Sequence, residues 1–452
     1  MATRAPADVV VIGGGVIGLS VAWMAAVNGM AVTVVDPAPG RGASWAAAGM
    51  LAPVGEAYYG EEALIALNLR ASREWPEFAR ALETASGQAV GYLADGTLLV
   101  AVDSSDQAAT ADVLGFHLAH GLGARHLSAR ECRREEPLLA PGIRGGAELA
   151  EDHQVDNRRV VDALMAACKA HRVAFSDDEV SDVDIGVIGG GSDGDGRDSD
   201  GRDSDGRDSD GRDDAGGRVI GVTLRHGGRL AAGAVVVAAG CRSGQIGGIP
   251  EAIRPPVRPV KGITLRLRGD AGSPSLRRTV RGMVHGRSCY LVPRRDGTLV
   301  VGATVEERGF DLTVRIGAVS NLLDDARQLV PALEEYELID NTAGLRPGSP
   351  DNAPIVGQTD VTGLIMATGH YRNGILLAPV TAYEVTRILL AGTVGLTGLT
   401  GLAEPAGSAD RPVKDDDRLD GTSLRGAFAP FGPDRFAPAG GGGRSPLSVG
   451  DR

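Results

Sequence analysis

At 452 residues and 43% hydrophobic content, the chain is too long for one ordinary core and apolar enough to fill two, so two domains plus extensions are expected. Its formal charge of -12 says little about the folded body: fifteen Asp or Glu against four Arg between Asp177 and Asp214 contribute -11, leaving about -1 elsewhere. The absence of a basic patch argues against nucleic acid, and the scattered Cys132, Cys168, Cys241 and Cys289 argue against a zinc site or disulfide framework and for a reducing cytoplasm.

In chain order, Asp8 to Ile12 reads as a short buried strand, followed by Gly13-Gly14-Gly15-Val16-Ile17-Gly18 and an apolar helix pattern from Leu19 to Val27. This is a dinucleotide fingerprint in its proper setting. Gly13 permits the tight turn, Gly15 lets the backbone approach a pyrophosphate, and Gly18 lets the helix pack closely on the strand. The helix N-terminus then offers N–H groups and a positive dipole end to phosphate. A second strand, Ala31 to Val35, ends at Asp36, where a carboxylate takes a ribose hydroxyl. Three successive glycines interrupt the apolar run and no small-residue cleavage site follows, so neither a signal peptide nor a membrane anchor is expected.

Next comes Arg41 to Met50, a run of small residues suited to backbone lying against a ligand. Glu62 to Leu82 has the spacing of a helix with Leu64, Leu67, Trp75 and Phe78 on its apolar side, and Asp156 is placed to N-cap a helix through Cys168. Val219 to Leu224 and Leu230 to Ala239 read as a strand pair. Ile263 to Leu267, Tyr290 to Val292 and Leu299 to Ala303 suggest a further, largely antiparallel sheet, and Leu364 to Ala367 a strand returning to the first domain.

Two segments stand apart. Gly189 to Gly217 carries a tandem DGRDS unit and is apolar only at Ala215, so it is expected to be a disordered, solvated loop. Its order does not match a calcium-binding EF-hand loop. Residues 403–452, rich in Gly, Pro, Asp and Arg, are expected to be a disordered tail. His117 and His120 stand at helical spacing but lack a third ligand, so no metal is expected.

The late stretch Thr368-Gly-His-Tyr-Arg-Asn-Gly-Ile-Leu-Leu-Ala-Pro379 places a lone arginine between an apolar strand and a helix-like run. If this turn faces a cofactor, Arg372 is aimed at a substrate. The fingerprint with its acid, the run ending AAAGM, the strand VVVAAG, the segment AGLRPGSPDNAPIVG (Ala343 to Gly357) and ATGHYRNGILLAP together resemble the D-amino-acid oxidase superfamily of FAD enzymes, and within it the glycine oxidases.

That resemblance spans roughly residues 8 to 400, apart from the acidic loop. It implies a mixed α/β fold: a Rossmann-like FAD/NAD(P)-binding domain (6–88, 146–252 and 338–402) and a mainly antiparallel-sheet substrate domain (89–145 and 253–337). FAD contacts are implied at Gly13, Gly15, Val16, Ile17, Gly18, Asp36, Pro37, Ala43, Ser44, Ala48, Gly49, Met50, Val180, His370, Tyr371, Arg372, Asn373, Gly374, Ile375 and Leu376. Arg346 matches the arginine that grips a substrate carboxylate, Arg372 a second arginine lining that site, and Tyr290 a tyrosine whose hydroxyl faces the same group. A guanidinium can hold a carboxylate bidentately, which lysine cannot.

The activity implied is oxidation of glycine, or of small amines such as sarcosine or D-alanine, to an imine and then glyoxylate and ammonia. Oxygen would be the final acceptor, yielding hydrogen peroxide, with a role in thiamine biosynthesis. The alternatives are a D-amino-acid or D-proline dehydrogenase with another acceptor, and a non-enzymatic flavoprotein scaffold. The chain has Ala46 where covalently flavinylated relatives have histidine after tryptophan, and no cysteine follows Cys289, so FAD is expected to be non-covalent. Val305 stands where some glycine oxidases carry methionine, a difference expected to alter pocket volume. No stable membrane association is expected; a homo-oligomer is possible.

Overall fold

The structure, a computed structural model, describes residues 7–187, 217–270, 272–397 and 424–436. The DGRDS repeat and most of the C-terminal segment lie outside the described residues.

The first of two eight-stranded sheets is built on Ala7–Ile12, whose Val9, Val10, Val11 and Ile12 are all buried. A continuous apolar run of this kind suits a strand covered on both faces. It pairs in parallel with Val32–Val35 on one side and Arg229–Val237 on the other; Leu364–Thr368 adds a further parallel strand and Ile355–Gln358 an antiparallel edge. The helices Val16–Val27, Glu62–Ser86, Asn157–Ala170 and Ala378–Thr397 share one apolar core over this sheet. Parallel pairing brings the C-terminal ends of Ala7–Ile12 and Leu364–Thr368 to the same edge, where ligands bind in open α/β sheets.

Val180–Val187 and Gly217–Leu224 pair antiparallel, with Gly217 in register with Val187. Asp156 caps its helix as expected, accepting from the N–H groups of Arg158 and Arg159.

The second eight-stranded sheet runs in the order Glu337–Gly348, Arg258–Arg268, Thr298–Gly302, Arg287–Pro293, Thr279–Val284, Thr97–Ala101, Gly145–Leu149, Ala124–Leu127. All its pairings are antiparallel except that of Thr279–Val284 with Thr97–Ala101. Helix Ile316–Leu329 covers one face with Leu322, Ala326 and Leu329.

One expectation requires correction. Within the segment expected to be a disordered tail, Leu424–Phe428 is helical and Phe428 and Phe431 are buried in the core of the first domain. Arg435 bonds both carboxylate oxygens of Asp351 and the Ala353 carbonyl. Two aromatic side chains and one multiply bonded guanidinium anchor a stretch whose average composition resembles a linker. All four cysteines are free, and no helix among the described residues is long and apolar enough to cross a membrane.

Candidate active site

The glycine turn is built by close approach. A Cβ on Gly13, which has φ +104°, would come 2.5 Å from the Ala238 carbonyl oxygen, and one on Gly18 would come 1.9 Å from that of Gly13. Strand, turn and helix can therefore meet only without side chains at these positions. Gly15 caps the helix without a side-chain bond, and the Val16 N–H donates to Ser44 Oγ at 2.9 Å. Ile17 follows within the buried first turn. Asp36 accepts from the N–H groups of Gly14 and Ala38, each at 2.7 Å, which fixes the Asp36-Pro37 bend beside the turn. A carboxylate offers about four lone-pair sites, so acceptors remain for a hydroxyl. Val180 shares an apolar cluster with Ile12 and Val35. An uncapped helix start next to a fixed carboxylate is a donor and acceptor set that fits a dinucleotide such as FAD.

The small-residue run is pinned by its carbonyls. Asn157 Nδ2 donates to the carbonyls of Ser44 and Trp45, Thr264 Oγ1 to that of Ala46 at 2.9 Å, and Arg294 Nη2 to that of Ala48 at 2.5 Å. Arg294 is buried and also reaches Gln154 Oε1. Ala43 opens the short helix here, and a Cβ on Gly344 would strike Ala46. Gly49 has φ +73°, and a Cβ there would lie 2.1 Å from the Val155 carbonyl. Met50 then begins a two-residue strand. The turn is thus a rigid backbone platform between the two domains. Sequence reading missed Asn157 and Arg294, which build it through pairings distant in the chain.

At the other end of the same sheet edge, Gly369 turns the chain with φ +73° and Tyr371 follows at φ +46°. His370 Nε2 lies 3.0 Å from Thr381 Oγ1, and burial lowers its pKa to about 3, so the ring is neutral. Asn373, Ile375 and Leu376 are buried, and Trp75 Nε1 donates to the Leu376 carbonyl at 2.8 Å. The His370 to Leu376 segment is therefore held from behind, with Gly374 among its backbone positions.

Arg346 projects from Glu337–Gly348 beside Gly262, where a Cβ would lie 2.3 Å from its Nη1. Its Nη1 donates to the carbonyls of Thr304 (3.1 Å) and Lys261 (3.4 Å), and no carboxylate pairs with it among the described residues. Asp340 and Asp351, the two acids near it in sequence, are taken by Arg158 and Arg435. Tyr290 packs across Gly302, where a Cβ would meet its ring and hydroxyl at 2.5 Å. Burial raises the Tyr290 pKa, and the nearby Arg346 charge opposes that rise.

Arg372 does have a carboxylate partner, one the sequence did not suggest. Its Nε lies 3.1 Å from Glu56 Oε2, while Glu56 Oε1 lies 2.8 Å from Arg281 Nη1. Burial alone would raise the Glu56 pKa, but Arg281 and Arg372 more than offset this and hold it below the usual range. The Tyr58 ring stacks 4.3 Å from the Arg372 guanidinium carbon. Val305 is 67% exposed on the loop after Gly302, next to Thr304, whose carbonyl accepts from Arg346.

His117 and His120 do not converge: His120 is exposed and bonds the Phe116 carbonyl, whereas His117 is buried with no partner for either ring nitrogen among the described residues. Asp103, Asp106 and His285 lie close together, but their carboxylates are engaged by the N–H groups of Asp106, His285 and Gly286 and by the His285 ring.

A family model described as FAD dependent oxidoreductase, DAO, matches residues 8–388. The chain belongs to this family. It is 32% identical over 390 residues to a glycine oxidase of Geobacillus kaustophilus, covering 84% of this chain and 92% of that protein. A solved structure of glycine oxidase from Geobacillus kaustophilus superposes with a TM-score of 0.73 at 28% identity, covering 95% and 98% of the two chains. The bifunctional protein ThiO/ThiG of Trichormus variabilis is 32% identical over 378 residues, covering 83% of this chain. The chain spans about half the length of that relative, 51%. Family membership fixes the cofactor class as FAD, in agreement with the glycine cradle and Asp36.

Proposed function

We propose that this protein is a glycine oxidase with non-covalently held FAD, acting on glycine and on small amines such as sarcosine or D-alanine. The observation that carries the reading is Arg346: a half-buried guanidinium with no carboxylate ion pair among the described residues, near Tyr290 and beside the pinned platform of Ala43 to Met50. The likeness to glycine oxidases supports the choice of amine.

In this reading Arg346 holds the substrate carboxylate and the Tyr290 hydroxyl donates to the same group. Charge-assisted bonds of this kind contribute roughly 1.5 to 3 kcal/mol each. When bound, FAD supplies a two-electron acceptor for the hydride leaving the substrate α-carbon. The chain's task is to fix that carbon and exclude water while the amine is neutral, so no side-chain base is required. Hydrolysis of the resulting imine gives glyoxylate and ammonia, and reduction of oxygen gives hydrogen peroxide. Overall, glycine, oxygen and water become glyoxylate, ammonia and hydrogen peroxide.

The likeness to ThiO/ThiG proteins supports, within this proposal, a place in thiazole formation for thiamine. The four free cysteines suit a reducing cytoplasm. The test is a peroxide assay on purified, FAD-loaded protein against glycine, sarcosine, D-alanine and D-proline. Glycine turnover with peroxide release supports the reading. Oxidation of D-proline alone, without peroxide, replaces it with a dehydrogenase.

A further inference from the structure

Asp152 lies in the turn between strands Gly145–Leu149 and His153–Gln154 and is fully buried. Its Oδ1 accepts the Val54 N–H and its Oδ2 the Gly55 N–H, each at 2.9 Å. The next residue is Glu56. A Cβ on Gly55 would come 2.5 Å from Asp152 Oδ2 and 2.8 Å from Arg281 Nη1, so the acid, the arginine and the turn meet at one backbone atom.

Arg281 comes from the substrate-domain strand Thr279–Val284 and is also buried. It ties the turn from the opposite side, with Nη1 at 2.8 Å from Glu56 Oε1. The remaining Glu56 oxygen faces Arg372. Arg281 Nη1, Arg372 Nε and Glu56 Oε2 lie outside good hydrogen-bond geometry, so these contacts are ion pairs whose direction is set by what holds the turn.

We propose that Asp152 and Arg281 are positioning residues for the substrate site: they fix Val54 to Glu56 so that Glu56 neutralises Arg372 and leaves Arg346 as the guanidinium open to a carboxylate. The inference rests on the reading of Arg346 as substrate anchor. Without the restraint, Glu56 is free to leave Arg372, and a carboxylate then has two cations to choose between. Only one choice places the α-carbon correctly. Loss of positioning therefore tightens the binding of a plain anion while it slows turnover.

The test compares wild type with Asp152→Asn, which presents an N–H donor where one of the backbone N–H groups needs an acceptor. FAD-loaded proteins are titrated with acetate, followed by flavin absorbance, and assayed for glycine turnover. Expected for Asp152→Asn is acetate binding tightened about fivefold, the scale of a partly exposed ion pair, with kcat for glycine reduced. A merely structural role would weaken both. Unchanged or weaker acetate binding in a variant that retains FAD and melts like wild type overturns the proposal. Should Asp152→Asn not fold, Gly55→Ala displaces the same contacts and is held to the same outcomes. Glu56→Gln, which removes the counter-charge itself, must tighten acetate binding as well; weaker binding there also overturns it. If wild type does not oxidise glycine, the functional reading fails, yet the acetate comparison still decides the positioning role.

Discussion

Arg372 Nε and Glu56 Oε2 lie 3.1 Å apart, joining the late glycine motif to the turn ahead of helix Glu62–Ser86. The arginine of the late glycine motif is thus already compensated by a carboxylate of the protein itself. The pair is mostly shielded, with side-chain exposures of 27% for Arg372 and 11% for Glu56. Removing one partner of a buried pair leaves an uncompensated charge, at a cost of about 3 to 5 kcal/mol when burial is complete and less here. Arg372→Ala should therefore lower the melting temperature by several degrees and depress turnover. A variant that melts and turns over like wild type would show that Glu56 needs only Arg281.

Arg346 should behave differently. Its bonds to the Thr304 and Lys261 carbonyls are modest, and its proposed partner is the substrate. Arg346→Lys should keep FAD and nearly the same melting temperature. Its apparent constant for glycine should rise roughly 10- to 100-fold, the equivalent of losing one charge-assisted bond. Steady-state kinetics decide this, and an unchanged constant would assign Arg346 to structure.

Gly18 offers a test of the cofactor cradle. A Cβ there would stand 1.9 Å from the Gly13 carbonyl oxygen, a contact no rotamer can relieve. Gly18→Ala should push the helix off the strand and displace the N–H groups of the helix start, which the proposed cradle offers to a pyrophosphate. The purified variant should carry far less than one FAD per chain by absorbance. Stoichiometric FAD would mean the helix start does not bear on binding.

Much of this site was legible because its signals are local. Gly13 to Gly18 with Asp36 combine strand, turn and helix within one short segment, and Arg346 and Arg372 each sit in a long distinctive motif. Glu56, Asp152 and Arg281 were not legible: they meet only because Thr279–Val284 pairs in parallel with Thr97–Ala101, joining segments far apart in the chain. An arginine flanked by Val280 and Gly282 reads as ordinary strand alternation until that pairing is known. Phe428 and Phe431 were missed for the opposite reason, since two aromatics in a Gly- and Pro-rich stretch give no periodicity to read.

His117 and His370 make the fold sensitive to acid. Burial lowers their pKa values to about 4 and 3, so both rings are neutral in the folded state and take up protons near 6.5 when unfolded. Their contribution is complete above about pH 6.5 and is lost as pH falls through those folded values. Asp152 acts in the opposite sense: burial raises it to about 7, so its contribution is complete below about 3.8 and is lost as pH rises through 7. Because neither His117 nitrogen has a partner among the described residues, His117→Leu should stabilise the protein by about 1 to 3 kcal/mol. The gain should be larger at pH 5 than at pH 8. Equal gains in chemical denaturation at the two pH values would contradict the assigned protonation.

The central claim, glycine oxidation with oxygen as acceptor, is met most directly by anaerobic titration of the FAD-loaded protein with glycine, followed by admission of air. The oxidised flavin absorbance should bleach on adding glycine and return in air with about one hydrogen peroxide per flavin. A flavin that stays oxidised under excess glycine, or that bleaches but does not return in air, would contradict it.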